Sequence, residues 1–180
     1  MTKLIILDRD GVINHDSDHF IKSELEWQPI PGSLEAIVLL NQANYKVHIA
    51  SNQSGIARGL LDLLTLKAIH NKMESELKTL GGYLDGIHFC PHGPSHDCDC
   101  RKPKPGLIHS ILNLYPDICP STVYFVGDTE RDLEAALNAQ CKPILVLTGK
   151  DRKTQQNLPL NLQTIPFFPD LNHFVVALLK

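Results

Sequence analysis

Five short apolar runs, each closed by polar or turn residues, punctuate the chain at residues 3–7, 46–50, 86–89, 122–126 and 143–147. They are rich in Ile, Val, Leu, Tyr and Phe and nearly continuous, which predicts strands buried on both faces. Between them the spacing lengthens. In residues 62–80, Leu66, Ile69, Met73, Leu77 and Leu80 recur three or four positions apart, predicting a helix that buries that face. Pro31-Gly32-Ser33 and Lys104-Pro105-Gly106 open two further helices, and residues 130–138 form another. Strands alternating with helices predict right-handed crossovers and a three-layer, Rossmann-like α/β fold with a mostly parallel sheet. The polar, proline-bearing stretch 150–169 reads as a surface wrap before a last helix at 171–179.

Composition narrows the class. A chain of 180 residues, 43% of them hydrophobic, can bury one sizeable core, so residues 1–180 read as one domain. A net charge of -3 argues against a nucleic-acid binder and gives no polybasic membrane patch, which leaves small molecules as partners. No apolar run reaches the length of a spanning helix or a signal-peptide core, and a cytoplasmic location follows as the expectation. Three of the five cysteines crowd into one segment, which fits a metal site in a reducing compartment better than a disulfide framework.

In a sheet of this kind ligands bind beyond the carboxyl ends of the strands. The residues there are Asp8 and Asp10, Ser51 and Asn52, the cysteine cluster, and Asp128. Carboxylates at Asp8, Asp10 and Asp128 make a hard oxygen site suited to magnesium, which also binds substrate phosphate. A carboxylate beside such a metal can attack phosphorus, and a second acid two residues on can protonate the leaving oxygen and later take a proton from water. Alone, Asp-x-Asp-Gly after a strand is equally an acidic turn. Ser51, Asn52 and backbone N–H groups in "SNQSGIARG" add phosphate donors, and Lys102 in "CRKPKPG" adds a compact positive charge.

The segment "FCPHGPSHDCDC" supplies Cys90, His92, Cys98 and Cys100 in a C-x-H-x5-C-x-C arrangement, the donor set of a structural zinc. His96, between these ligands, reads as solvent-facing, and Cys119 and Cys141 as packing or surface residues. The other histidines default to structural or surface roles, with His19 alone promoted.

"DRDGVIN", "SNQSGIARG", "CDCRKPKPG" and "VGDTERD" resemble, in order, the four motifs of the haloacid dehalogenase (HAD) phosphatase superfamily, over roughly the first four-fifths of the chain. The resemblance implies a magnesium-dependent phosphomonoester hydrolase acting through an aspartyl-phosphate. It implies Asp8 as nucleophile and Asp10 as acid/base. Asp8, Asp10 and Asp128 become magnesium ligands, Asp10 through its backbone carbonyl. Ser51 and Lys102 would stabilise the phosphoryl group and Arg101 would recognise substrate. The segments Asp16, Ser17, Asp18, His19 and Ser51, Asn52, Gln53, Ser54 would line the substrate site. Thr129 departs from relatives that carry lysine after the motif-four aspartate, so no charged contact is expected there.

Neither interval between motifs has room for a cap domain, so specificity falls to loops 11–31 and 53–61 and to the cysteine loop, with Trp27 as a packing anchor. The resemblance implies a sugar bisphosphate as substrate, and a monomer is the expectation. Histidinol-phosphate phosphatases share the zinc loop and are the nearest rival; an inert zinc-stabilised binding module is a rival of another class. Intact Asp8, Asp10, Lys102 and Asp128 weigh against the module.

Overall fold

The computed structural model describes residues 2–149, 156 and 158–180. Six parallel strands form one sheet: β1 (Lys3–Leu7), β2 (Tyr45–Asn52), β3 (Gly86–Cys90), β4 (Tyr124–Gly127), β5 (Lys142–Val146) and β6 (Phe167–Phe168). Their spatial order is β3-β2-β1-β4-β5-β6, so β1 is central and the order reverses beside it. Among the described residues the α-helices are α1 (Ser33–Gln42), α2 (Leu63–Thr79), α3 (Gly106–Leu112), α4 (Glu130–Asn138) and α5 (Leu171–Leu178).

The pleat of β1 divides the core. Ile5 and Leu7 join the cluster under α1, α2 and α5, while Leu4 and Ile6 join the one under α3 and α4. Each face of the sheet therefore carries a helical layer, the condition that makes the strand runs apolar at every position. Helix starts follow local chemistry: the Asp62 carboxylate accepts from Thr65 N at 2.7 Å and that of Asp170 from His173 N at 2.8 Å. Trp27 is fully buried, as its anchoring role requires; the Lys72 ammonium lies 5.6 Å over its ring and donates to the Trp27 carbonyl at 2.9 Å, fastening loop 11–31 to α2.

Two expectations need correction. Leu80 does not belong to the buried face of α2; it caps the helix and is 45% exposed, because the chain leaves the helical path there. The stretch 150–169 is more than a surface wrap. Residues 150–155 and 157 lie outside the described part, but Leu158 and Leu162 are buried against Leu133 and Leu145, and Phe167–Phe168 adds a sixth strand to β5. A two-residue strand is too short to show periodicity, which is why sequence alone misses it. Among the described residues no inserted domain interrupts the connection from β1 to α1 or from α2 to α3. None of their helices is long and apolar enough to cross a membrane.

Candidate active site

Leu7 of β1 lies opposite Ile49 of β2 on one side and Val126 of β4 on the other, so Asp8, one residue on, comes close to Ser51 and Asp128, each two residues on, at this edge of the sheet. The Asp8 amide donates to the Val126 carbonyl at 2.9 Å, which fixes where its side chain leaves the sheet. Gly11 follows with a φ of 81°, and a Cβ on it would fall 2.4 Å from Oδ2 of Asp128. Glycine is needed at this turn both for its left-handed backbone and for the close approach of the carboxylate.

Lys102, 2% exposed, reaches into this cluster from the loop before α3. Its Nζ lies 3.0 Å from Oδ1 of Asp8, 2.7 Å from Oδ1 of Asp132 and 2.9 Å from the Ala50 carbonyl. Asn52 holds the lysine backbone from both sides, accepting from Lys102 N at 3.0 Å and donating to Lys102 O at 3.1 Å. Burial alone would lower the lysine's pKa, but Asp132 and Asp8 outweigh it and leave it raised. Asp132 is the better paired acid. Burial opposes its ionisation, yet Lys102 and Thr129 hold it below the usual carboxylate range. For Asp8 the balance reverses: burial pushes its pKa up to about 7 against the pull of Lys102, with Asp132 and Asp10 adding repulsion. Asp128, without a cation of its own, is pushed well up by burial and by Asp132, Asp8 and Asp16.

Asp10 points elsewhere. Its carboxylate accepts from Arg9 (Nη2 to Oδ1 2.9 Å), Asn14 (2.9 Å) and Gln53 (2.9 Å). Burial pushes its pKa up, but Arg9 and these bonds outweigh burial and hold it low. Arg9 is fully buried, 3.3 Å from His70 Nε2 and from Gln53 Oε1. Gln53 also donates to Ser51 Oγ at 2.8 Å, which links the loop after β2 to the aspartates.

A cleft of about 280 Å³ opens over this floor. Asp8, Asp10, Asp16, Ser17, Ser51, Asn52, Gln53, Ser54, Arg101, Lys102 and Asp128 all line it, so the sequence motifs converge. Asp18 and His19 are not in its wall. A turn closed by Phe20 N to Ser17 O at 3.1 Å, with Phe20 at φ 64°, leaves them exposed at the apex and turns Phe20 into the cleft. Sequence reading passed over Phe20, Arg58, Arg131 and Asp132, which also line it. For Asp132 the signal was present in "VGDTERD", as a second aspartate four residues after the first. Thr129 caps α4: its backbone N–H donates to Asp132 Oδ2 at 3.1 Å in a capping box, and its Oγ1 donates to the same oxygen at 2.7 Å.

Two groups of side chains fit metal ions. Ligand atoms of Asp8, Asp128 and Asp132 lie within 4.8 Å of one another, and three buried carboxylates served by one lysine suit a further hard cation. The Asp10 side chain is outside this trio. Cys90, His92, Cys98 and Cys100 form the second group. Their Cys90–Cys98 and His92–Cys100 separations of 3.7 and 3.4 Å approach the edge of a tetrahedron with zinc–sulfur bonds of about 2.3 Å. Cys90 and Cys100 are closer, at 2.9 Å. His96 instead accepts from Gly93 N at 3.2 Å and is exposed, as expected for a non-ligand.

Comparison with known proteins agrees with this geometry. The sequence model of the HAD-hydrolase-like family matches residues 99–173. The D-glycero-beta-D-manno-heptose-1,7-bisphosphate 7-phosphatase of Bordetella bronchiseptica is 55% identical over 159 residues, 87% of this chain and 88% of that protein. The Pseudomonas aeruginosa protein of the same name is 50% identical over 177 residues, 98% of both chains. The crystal structure of the B. bronchiseptica D,D-heptose 1,7-bisphosphate phosphatase, complexed with magnesium and phosphate, superposes with a TM-score of 0.93 at 50% identity, covering 99% of this chain and 98% of that one.

Proposed function

The chain belongs to the D-glycero-beta-D-manno-heptose-1,7-bisphosphate 7-phosphatase family of HAD hydrolases, and on that footing we propose that it hydrolyses the 7-phosphate of the heptose 1,7-bisphosphate. The observation that carries this reading is the set of acids Asp8 and Asp128, from two strand ends, and Asp132, from the first turn of α4, gathered around Lys102 at the floor of an open cleft.

Asp8 is the nucleophile. Its carboxylate oxygen forms a bond to phosphorus as the bond from phosphorus to the sugar's O7 breaks, giving an aspartyl-phosphate and the heptose 1-phosphate. Lys102 and Ser51 hold the phosphoryl oxygens, and Asn52 keeps the lysine backbone in place. Asp10 delivers a proton to the leaving oxygen and then takes one from the water that attacks phosphorus, which frees inorganic phosphate and restores Asp8. As Arg9 holds it, Asp10 is in the proton-accepting form required in the second half. In the first half its carboxyl must take up a proton as substrate enters. Asp8, the Asp10 carbonyl and Asp128 would hold magnesium, which would supply Lewis-acid neutralisation of the phosphate charge. Asp16, Ser17, Gln53, Ser54 and Arg101 form the substrate wall, with Asp18 and His19 at its outer lip.

Zinc at Cys90, His92, Cys98 and Cys100 is structural: it fixes the loop that presents Arg101 and Lys102. Residues 1–180 act as one domain, a reading supported by the single sheet that joins residues 3 to 168, and the enzyme acts as a monomer. Five unpaired thiols support a reducing, cytoplasmic setting. The product, a heptose 1-phosphate, is what nucleotide activation needs on the way to lipopolysaccharide or surface glycans. Specificity constants for the heptose 1,7-bisphosphate, histidinol phosphate and an aryl phosphate, with and without magnesium, test the reading. It requires magnesium dependence and a clear preference for the bisphosphate; a better rate on histidinol phosphate would overturn it.

A further inference from the structure

Arg9 separates Asp8 from Asp10 along the chain, yet its side chain is fully buried and forms no part of the cleft wall. Its backbone N–H donates to Asp8 Oδ1 at 2.7 Å, and its guanidinium grips Asp10. Nε lies 3.1 Å from Oδ1, and Nη2 lies 2.9 Å from Oδ1 and 3.0 Å from Oδ2. The remaining edge of the guanidinium is held by another element: Nη1 lies 3.3 Å from Nε2 of His70, a buried residue of α2. An arginine has no acceptor, so that nitrogen must carry the lone pair and His70 is the neutral Nδ1–H tautomer. Burial, then Arg9, lower the His70 pKa from 6.5 to about 4 against the pull of Asp10, which keeps the ring neutral.

Stability does not explain this arrangement. Among the described residues Asp10 is the one ionic partner of Arg9, and a buried ion pair gains little over apolar side chains of similar size. Its use lies in geometry. The Asp10 side chain is 20% exposed and lines the cleft, so the carboxylate is gripped by the fork and still open to substrate. Asn14 and Gln53 each give the same carboxylate one N–H bond, about which it could turn, whereas a planar fork fixes its plane.

We propose that Arg9 is the positioning residue of the acid/base and that His70 acts through it: α2 sets the guanidinium, and the guanidinium sets the plane in which the Asp10 carboxylate faces the cleft. The proposal rests on the acid/base role given to Asp10 above. Proton transfer needs a short, aligned path, so a carboxylate free to turn loses much of its effect while substrate binds as before.

The test uses the full-length enzyme with magnesium and two leaving groups, a sugar alkoxide that needs a proton and p-nitrophenolate, which leaves without one. Arg9→Lys keeps the charge and loses the fork. It should lower kcat on the heptose 1,7-bisphosphate about ten- to a hundredfold, with KM within about threefold. In stopped flow with p-nitrophenyl phosphate, its first turnover should slow by no more than about threefold while the steady state falls at least about tenfold. A burst of nitrophenolate then appears, because only the attack of water still needs the base. His70→Leu should cost about three- to tenfold in kcat on the bisphosphate, and less than about twofold in the Arg9→Lys background. His70→Gln should restore most of the loss, since its amide oxygen can accept from Nη1.

Equal losses in first turnover and steady state, or a His70→Leu cost that persists beside Arg9→Lys, mark a merely structural role and overturn the positioning. Should Arg9→Lys fail to fold, the His70 variants decide alone: no loss in His70→Leu, or a loss that His70→Gln leaves unrepaired, overturns it. Asp10→Asn separates the two readings. Unchanged kcat in Asp10→Asn overturns the acid/base role and the positioning with it, whereas a crippled Asp10→Asn beside an unaffected Arg9→Lys overturns the positioning alone.

Discussion

At the carboxyl ends of β1 and β4 three carboxylates lie within 4.8 Å of one another, and in loop 90–100 three thiols and an imidazole are gathered as tightly. Both clusters crowd groups that repel once ionised, and the fold treats them differently. The carboxylates have a cation built in, since Lys102 touches Asp8 and Asp132 at 3.0 and 2.7 Å. The thiols have none. Burial first, then Cys90 and Cys98, push the Cys100 thiol up to about 12, so without a metal the loop keeps its proton and its weak S–H contacts. The acidic centre carries a cation of its own, whereas the cysteine loop gathers four donors with none among the described residues.

The largest effect that follows is on turnover. Asp8→Asn should lower kcat about 10⁴-fold or more, because an amide is a poor nucleophile. Lys102 keeps Asp132, so the thermal midpoint should stay within about 5 °C of the unmodified protein. Stopped assays with an aryl phosphate and a melting curve check both; near-normal turnover in the folded variant sinks the covalent mechanism.

Next comes Asp132→Asn, which removes the shorter of the lysine's two ion pairs and one of the three clustered acids. A misaimed Lys102 should reduce kcat by about a hundredfold or more, with weaker magnesium binding by calorimetric titration. Unchanged kcat would mean that Asp8 alone positions the lysine.

The comparison predicts the opposite balance for the loop. Cys98→Ser should lose zinc and about 3 kcal/mol of stability, a fall of roughly 6–12 °C in the thermal midpoint, with activity declining as a consequence. Metal analysis should give one zinc per unmodified chain; full zinc content in the variant contradicts the assignment.

A third crowded pair sharpens the contrast by staying neutral. His48 Nδ1 lies 3.2 Å from His88 Nε2, and His48 Nε2 lies 2.8 Å from the Tyr115 hydroxyl. Burial, then His88, lower the His48 pKa from 6.5 to about 4, with Asp85 opposing and Lys46 assisting. Between those values the unfolded chain binds the extra proton, so the stabilisation is complete above about pH 6.5 and is lost as the pH falls through about 4. His48→Gln should flatten the slope of unfolding free energy against pH by up to about 1.4 kcal/mol per unit in that window. Urea unfolding from pH 4.5 to 7 reads it, and an unchanged slope assigns the acid sensitivity elsewhere.

The elements legible in the sequence were those whose signal is local. β1 and α4 have the bounds that their patterns predict, and Asp8, Asp10, Asp128 and the four Cys and His ligands stand within short motifs. Leu80 was misplaced because periodicity does not say where a helix stops burying its face. β6 was missed because its two residues are strand only by pairing with β5. Arg9, the middle residue of Asp-x-Asp-Gly, drew no reading from the sequence, and it is buried, bonded to Asp10 and in reach of Gln53 and His70.

The sequence by itself determined the alternation of strands and helices, the acids at the ends of β1 and β4, and the spacing of the cysteine loop, because each is set by side chains a few residues apart. The tertiary structure alone decided which charges meet. The parallel register of β1 with β2 and β4 brings Asp8, Ser51 and Asp128 close together at one edge of the sheet, and Lys102 reaches Asp132 across the sheet end. Arg58, Arg101 and Arg131 are far apart along the chain and share one opening only because three loops end there. Coulomb energy depends on distance in space and on burial, neither of which the order of residues states.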